Sequence, residues 1–128
     1  MANINENFLQ LENNYLFSTI AKKNKDFQTV YQDGTSQANR YLVMYVLSNQ
    51  YNKNRLGISV SKKVGNSVVR HRVTRLIRES YRLNEKKFMP GFDIVVIARP
   101  SAKEKKYQEI EDALLHVSAK HRICRQEG

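Results

Sequence analysis

The segment from Lys62 to Arg82 constrains this chain most. On a helical wheel of about 100° per residue, Val69, Val73, Leu76, Ile77 and Ser80 fall in one arc. Arg72, Arg75, Arg78 and Arg82 lie opposite, with His71 among them and Arg70 and Thr74 at the flanks. This pattern predicts a helix from about Ser67 to Leu83, anchored by one face and presenting guanidinium groups on the other. Glu79 is its only acid, so the arginines are expected to stay un-neutralised within it. The rest of the chain must supply an apolar surface for the anchored face.

That surface is legible as strands. Arg55 to Ser61 alternates, with Leu56, Ile58 and Val60 inward and Arg55, Gly57, Ser59 and Ser61 outward. Phe92 to Ala98 is a strongly apolar strand. Tyr41 to Leu47 is β-rich and apolar on both faces. Lys22 to Gln32 reads as a short helix with Phe27 and Tyr31 on one face, ended at Asp33-Gly34 by a left-handed stop. Ser48 to Asn54 is a polar turn. Ser101 to Glu104 matches a capping box for a last helix, and a start nearer Tyr107 is the alternative. Tyr107, Ile110, Leu114 and Val117 form its buried stripe. The order predicts an α/β (α+β) two-layer sandwich, a small mixed sheet with three helices. Residues 1–20 are read as a weakly ordered N-terminal extension, 21–123 as one domain and 124–128 as a tail.

Charge gives the partner class. Lys and Arg number 22 against 12 acids, a net charge of +10. Self-repulsion on this scale usually serves a polyanionic partner. No Asp or Glu occurs between Asp33 and Glu79, a stretch carrying Arg40, Lys53, Arg55, Lys62, Lys63, Arg70, Arg72, Arg75 and Arg78. A solvated surface normally mixes both signs. The single cysteine, Cys124, excludes an internal disulfide and points to a cytoplasmic protein. No apolar run approaches the roughly 20 residues of a membrane span, and no membrane partner is expected.

Two surfaces follow. Lys62 and Lys63 precede Gly65-Asn66-Ser67, which places Asn66 or Ser67 at the helix N-cap. Free N–H groups and partial positive charge there, with two lysines and several arginines, describe a phosphate-binding corner. The second surface is aromatic: Phe27 and Tyr31 are positioned to meet Tyr45. Pattern alone leaves base stacking and core packing open there, and favours packing. Catalytic constellations are scarce. His71, His116 and His121 form no ligand pattern, Asp33, Glu79 and Asp93 are isolated, and Cys124 has no partner. No catalytic or metal-binding side chain is expected.

The run Ser59-Val-Ser-Lys-Lys-Val-Gly-Asn-Ser-Val-Val-Arg-His-Arg-Val-Thr-Arg-Leu-Ile-Arg78 resembles the protein subunit of bacterial ribonuclease P. The resemblance includes Lys23 to Phe27, Ala38-Asn39-Arg40 and Asp93 to Arg99, and covers about Lys22 to Ile123. It implies an endoribonuclease acting as a ribonucleoprotein, in which the RNA subunit is the catalyst that removes the 5′ leader from precursor tRNA. Mg²⁺ would be held mainly by RNA, with no organic cofactor. Lys62, Lys63, Asn66, Arg70, His71, Arg72, Arg75 and Arg78 would bind the catalytic RNA. Phe27, Tyr31 and Tyr45 match the family's positions for the single-stranded leader. It also implies a left-handed βαβ crossover, where patterning alone predicts a right-handed one. The family's Arg-Asn-Arg signature stands here as Arg70-His71-Arg72, and Thr74 replaces a commonly basic residue. Imidazole offers one donor and one acceptor, as the amide does, in a different geometry. The alternatives are a structural RNA-binding protein of ribosomal type without processing activity, a self-sufficient nuclease, and a DNA-reading helix-turn-helix. The missing carboxylate or histidine cluster argues against the nuclease, and the strand directly before the basic helix against the last.

Overall fold

The computed structural model describes residues 6–11, 14–17 and 24–125. The first residues of the expected first helix, parts of the N-terminal extension and the last three residues of the tail lie outside them. In chain order the elements are β1 (Glu6–Leu11), β2 (Asn14–Phe17), α1 (Asn24–Asp33), β3 (Thr35–Ala38), β4 (Leu42–Ser48), β5 (Arg55–Ser59), α2 (Ser67–Asn84), β6 (Phe92–Ala98) and α3 (Tyr107–His121).

Four strands form the central sheet in the order β5-β6-β4-β3. β4 is antiparallel to both of its neighbours, whereas β5 and β6 are parallel. The parallel pair requires a crossover, and α2 supplies it. β1 and β2 pair as a hairpin, and β1 lies antiparallel along the outer edge of β5, with Phe8 opposite Gly57 and Glu6 opposite Ser59. The backbone of this part of the extension, read from sequence as weakly ordered, thus completes a ladder that β5 would leave open.

Strand faces explain the layers. Leu42, Met44 and Val46 of β4, Leu56 and Ile58 of β5, and Ile94 and Val96 of β6 are buried on one face. Against them pack Val73, Ile77 and Tyr81 of α2 and Ile110, Leu114 and Val117 of α3. The α+β class that the patterning predicts is present, but the two-layer count is not, because helices cover both faces of the sheet. The opposite face carries α1, whose Phe27 and Val30 bury against Val95 with Tyr31, Tyr45, Leu47 and Ile97 around them. Gly34 ends α1, but not through a left-handed turn: Gly91 is the glycine of positive φ among the described residues. Space decides instead. A Cβ at Gly34 would lie 2.5 Å from the Val30 carbonyl oxygen and 2.7 Å from that of Val46, so the residue lets α1 close onto β4.

Arg55 corrects the sequence reading. The alternation of β5 places it outward, yet it is 7% exposed. In the parallel register it stands beside Asp93, 5% exposed. Its Nε donates to Asp93 Oδ1 at 2.7 Å and its Nη2 to Oδ2. Asn49 donates a further 2.9 Å bond to Oδ1, and Asp26 of α1 approaches Arg55 at 3.9 Å. Asp93 is therefore not isolated. Both faces of β5 are covered, and a buried charge survives only because its partner forks onto it. β3 escapes sequence detection because Thr35, Ser36 and Gln37 are polar and exposed, leaving no apolar alternation to read. Nor does Ser101–Glu104 cap α3. A 3-10 turn spans Pro100–Ala102, and the helix starts at Tyr107 with Glu109 accepting from the Lys106 amide at 3.0 Å.

At its C-terminal end α3 is tied to the sheet by His121, whose Nε2 lies 2.8 Å from the Met44 carbonyl oxygen. The ring donates there with its proton on Nε2. Burial holds the His121 pKa below the ordinary imidazole value, against the opposing pull of that bond. Stability from this group is complete above about pH 6.5 and is lost as pH falls from there through the folded-state value. Thermal melts should show a midpoint declining below about pH 6.5, and His121→Gln should flatten part of that decline. An identical decline in the variant would remove His121 as its source. Arg55→Ala should cost about 3–5 kcal/mol in urea unfolding, because Asp93 is left buried and unpaired. Replacing both partners by Leu should recover most of that loss.

Candidate nucleic-acid interface

α2 begins where the sequence places it. Asn66 adopts extended geometry, and its side-chain oxygen accepts from the Val69 amide at 3.0 Å. Val73, Ile77, Ser80 and Tyr81 are buried, and Val69 and Leu76 pack beside them, so the apolar arc faces the sheet as the wheel predicts. Lys62 and Lys63 are exposed in the turn after β5. His71 and Arg75 are exposed along the helix, and Arg78 is half-buried.

Arg72 and Arg82 depart from the expected row of outward guanidinium groups, and the flanking Arg70 is tied internally as well. Arg70 is half-buried and donates from Nη1 to the Gly65 carbonyl at 2.9 Å, bracing the turn before its own helix. Arg82 forks onto Glu79 at 2.6 and 2.9 Å. That pair holds the Glu79 carboxyl below the ordinary carboxylate range and neutralises Arg82 within the helix, which corrects the sequence expectation. Arg72 leaves α2 altogether: Nη2 donates to the Lys105 carbonyl at 2.7 Å and Nη1 to the Lys103 carbonyl at 3.3 Å.

The aromatic set divides as well. Tyr31 and Tyr45 are half-buried and meet edge to face with centroids 5.0 Å apart. Phe27 is fully buried, 6.3 Å from Tyr31. It packs beneath the tyrosines and presents no face to solvent, whereas Tyr31 and Tyr45 are each partly open. Register joins this aromatic pair to the basic turn. Tyr45, Val95 and Gly57 form one cross-strand row, and Val43, Ile97 and Ser59 the next, on the same face. β5 then runs out into Lys62 and Lys63.

Sequence reasoning missed the other side of this end. The segment between β6 and α3 carries Arg99, Lys103, Lys105 and Lys106. It folds against the turn before β4: the Arg99 amide donates to the Tyr41 carbonyl at 2.9 Å and Ser101 to the Arg40 carbonyl at 2.5 Å. Asn39 knits that turn to α3. It accepts from the Tyr41 and Leu42 amides at 3.1 and 3.0 Å and donates to the Ala113 carbonyl at 2.8 Å. Asn39, Arg40, Tyr41, Glu109, Asp112, Ala113 and His116 line a cavity of about 390 Å³ there. The lysines lie 19 to 22 positions beyond the end of the basic helix in sequence, so only the tertiary fold gathers them. Among the described residues no three His, Cys, Asp or Glu side chains gather as a metal site, and no helix is long and apolar enough to cross a membrane. Asn66→Ala should destabilise the protein by about 1 kcal/mol in denaturant titration, and Asn66→Asp should not, if the cap fixes the start of α2.

Comparison with known proteins identifies the arrangement. The family model described as Ribonuclease P matches residues 19–122. A ribonuclease P protein component of Lachnoclostridium phytofermentans is 59% identical over 106 residues, covering 83% of this chain and 91% of that protein. Its counterpart in Alkaliphilus metalliredigens is 58% identical, covering 80% and 92%. The solved RNase P protein of Staphylococcus aureus superimposes with a TM-score of 0.75 at 41% identity, covering 80% of this chain and 94% of that one. The Thermotoga maritima protein gives 0.69 at 31% identity, covering 81% and 94%. With the family model spanning α1 to α3 and relatives above half identity over most of both chains, the chain belongs to the ribonuclease P protein family.

Proposed function

We propose that the chain, as the protein subunit of the endoribonuclease ribonuclease P, uses its two surfaces for two RNAs. The turn of Lys62 and Lys63 and the start of α2 at Asn66, with Arg70, His71, Arg72, Arg75 and Arg78, hold the RNA subunit. Tyr31 and Tyr45, supported by Phe27, hold the 5′ leader of precursor tRNA. One observation carries this reading: a continuous face runs from the Tyr31–Tyr45 pair, through Val43, Ile97 and Ser59, to the basic turn that opens α2. A single strand laid along it would meet aromatic faces first and cations next, the combination that binds unpaired nucleotides.

The division of labour follows from the side chains. Exposed lysines and arginines neutralise phosphates, and guanidinium groups add bidentate contacts. The tyrosines supply stacking that tolerates any base. The described residues do not offer a carboxylate or imidazole cluster for Mg²⁺. Mg²⁺ is assigned to the RNA. Hydrolysis of the phosphodiester is assigned to the RNA subunit as well. The protein's contribution is to raise affinity for leader-bearing substrate over product.

Reconstitution with the RNA subunit at low Mg²⁺ should restore 5′ maturation of precursor tRNA, and a mixture that stays inactive would refute the assignment. In that holoenzyme Tyr45→Ala should weaken leader-bearing substrate by about tenfold, the scale of one lost stacking contact. Mature tRNA should be unaffected; equal losses for both RNAs would make Tyr45 a packing residue.

A further inference from the structure

We propose that the lysine loop between β6 and α3 is a second phosphate contact for the RNA subunit, and that Arg72 positions this loop. The inference rests on the reading of α2 as the side that holds the RNA subunit. It reassigns one member of the signature and adds Lys103 and Lys106 to the interface.

Arg72 is half-buried, and two of its N–H groups go to the carbonyls of Lys103 and Lys105. A guanidinium forked onto two carbonyls of one loop fixes that loop's backbone relative to the helix that carries it. The loop is held on its other side too. Ser101 donates to the Arg40 carbonyl, and Arg99 donates from Nη1 to the Asn39 carbonyl at 2.9 Å. Lys105 lies 5.2 Å above the Tyr41 ring and 3.9 Å from Glu109. Lys105 is thus occupied in fastening the loop, whereas Lys103 and Lys106 are exposed. With Arg40 exposed across the turn, they extend the positive surface of α2 sideways onto a different element.

Charge selects the occupant. Glu104 is the acid of the segment, and Glu109 in the first turn of α3 is engaged by the Lys106 amide and Lys105. The exposed cations lie beside a helix that already faces a polyanion, and a backbone of regularly spaced phosphates can span both. A lysine forms a compact contact to phosphate without needing the fork that Arg72 spends on the loop.

The test is binding of the RNA subunit alone, without tRNA, across a salt series, with thermal melts confirming that each variant is folded. The double variant Lys103→Ala/Lys106→Ala should bind more weakly, and its log K against log salt slope should shrink by about one per lysine. Arg72→Lys keeps the charge but not the fork, so it should lose affinity as fully as Arg72→Ala. In the double-lysine background, Arg72→Ala should add little, the signature of residues acting as a unit. Unchanged affinity and slope in the double variant would overturn the loop contact. Wild-type binding by Arg72→Lys, or a full additive loss in the double-lysine background, would make Arg72 a direct phosphate ligand. Failure of the wild-type protein to bind the RNA subunit would instead refute the proposed function itself.

Discussion

The buried pair of Arg55 and Asp93 is the fixed point from which the rest of the molecule is placed. The two residues stand side by side on parallel strands, and each side chain is almost wholly removed from water. Slipping β6 by one residue would turn Asp93 onto the face covered by α2 and α3, among apolar side chains that offer it nothing. The register of β5 on β6 is therefore set by charge as well as by hydrophobic pattern. That register sends both strands out at the same end of the sheet. A chain leaving β5 there must cross back to start β6, and the helix that makes the crossing must begin at that end. The basic turn and the capped start of α2 are placed by this topology.

A chain of net charge +10 must keep its cations from unfolding it. Position within α2 decides how. Where the helix faces its own neighbours, guanidinium groups are tied internally: Arg70 to the preceding turn, Arg72 to the loop before α3, Arg82 to Glu79. Where it faces outward, Arg75 and His71 remain exposed. The arginine-rich helix thus mixes internally tied cations with exposed ones, and a helical wheel cannot distinguish them because both point away from the apolar arc.

Much of this was legible in the sequence, for reasons that particular residues make clear. The limits of β6 and the start of α2 coincide with the pattern, since a strong apolar run and an Asn cap are local signals. β3 was not legible, because an exposed polar edge strand has no alternation to detect. The burial of Arg55 was invisible because its partner is 38 positions away and meets it only in the parallel register. The same holds for the site. Lys62, Lys63 and Asn66 stand where the tripeptide and its lysines suggest, while Lys103 and Lys106 come beside α2 only through the fold. Spacing put Phe27 and Tyr31 on one helix face, but not which of them would be covered.

The two surfaces share one mechanical reference. α1 is seated on the sheet by Phe27 and Val30, by the close approach at Gly34, and by Asp26 reaching toward Arg55. α2 is seated through the strand that carries the same Arg55. The distance from the tyrosine pair to the basic turn is therefore set by two cross-strand rows of a packed sheet. No flexible linker intervenes between them, since β5 enters the turn directly. Under the proposed function, the protein works through the separation it imposes on two RNAs. Here that separation is a property of strand register, so a substitution that loosens Arg55 or Asp93 disturbs both surfaces at once, although neither residue is exposed on either one.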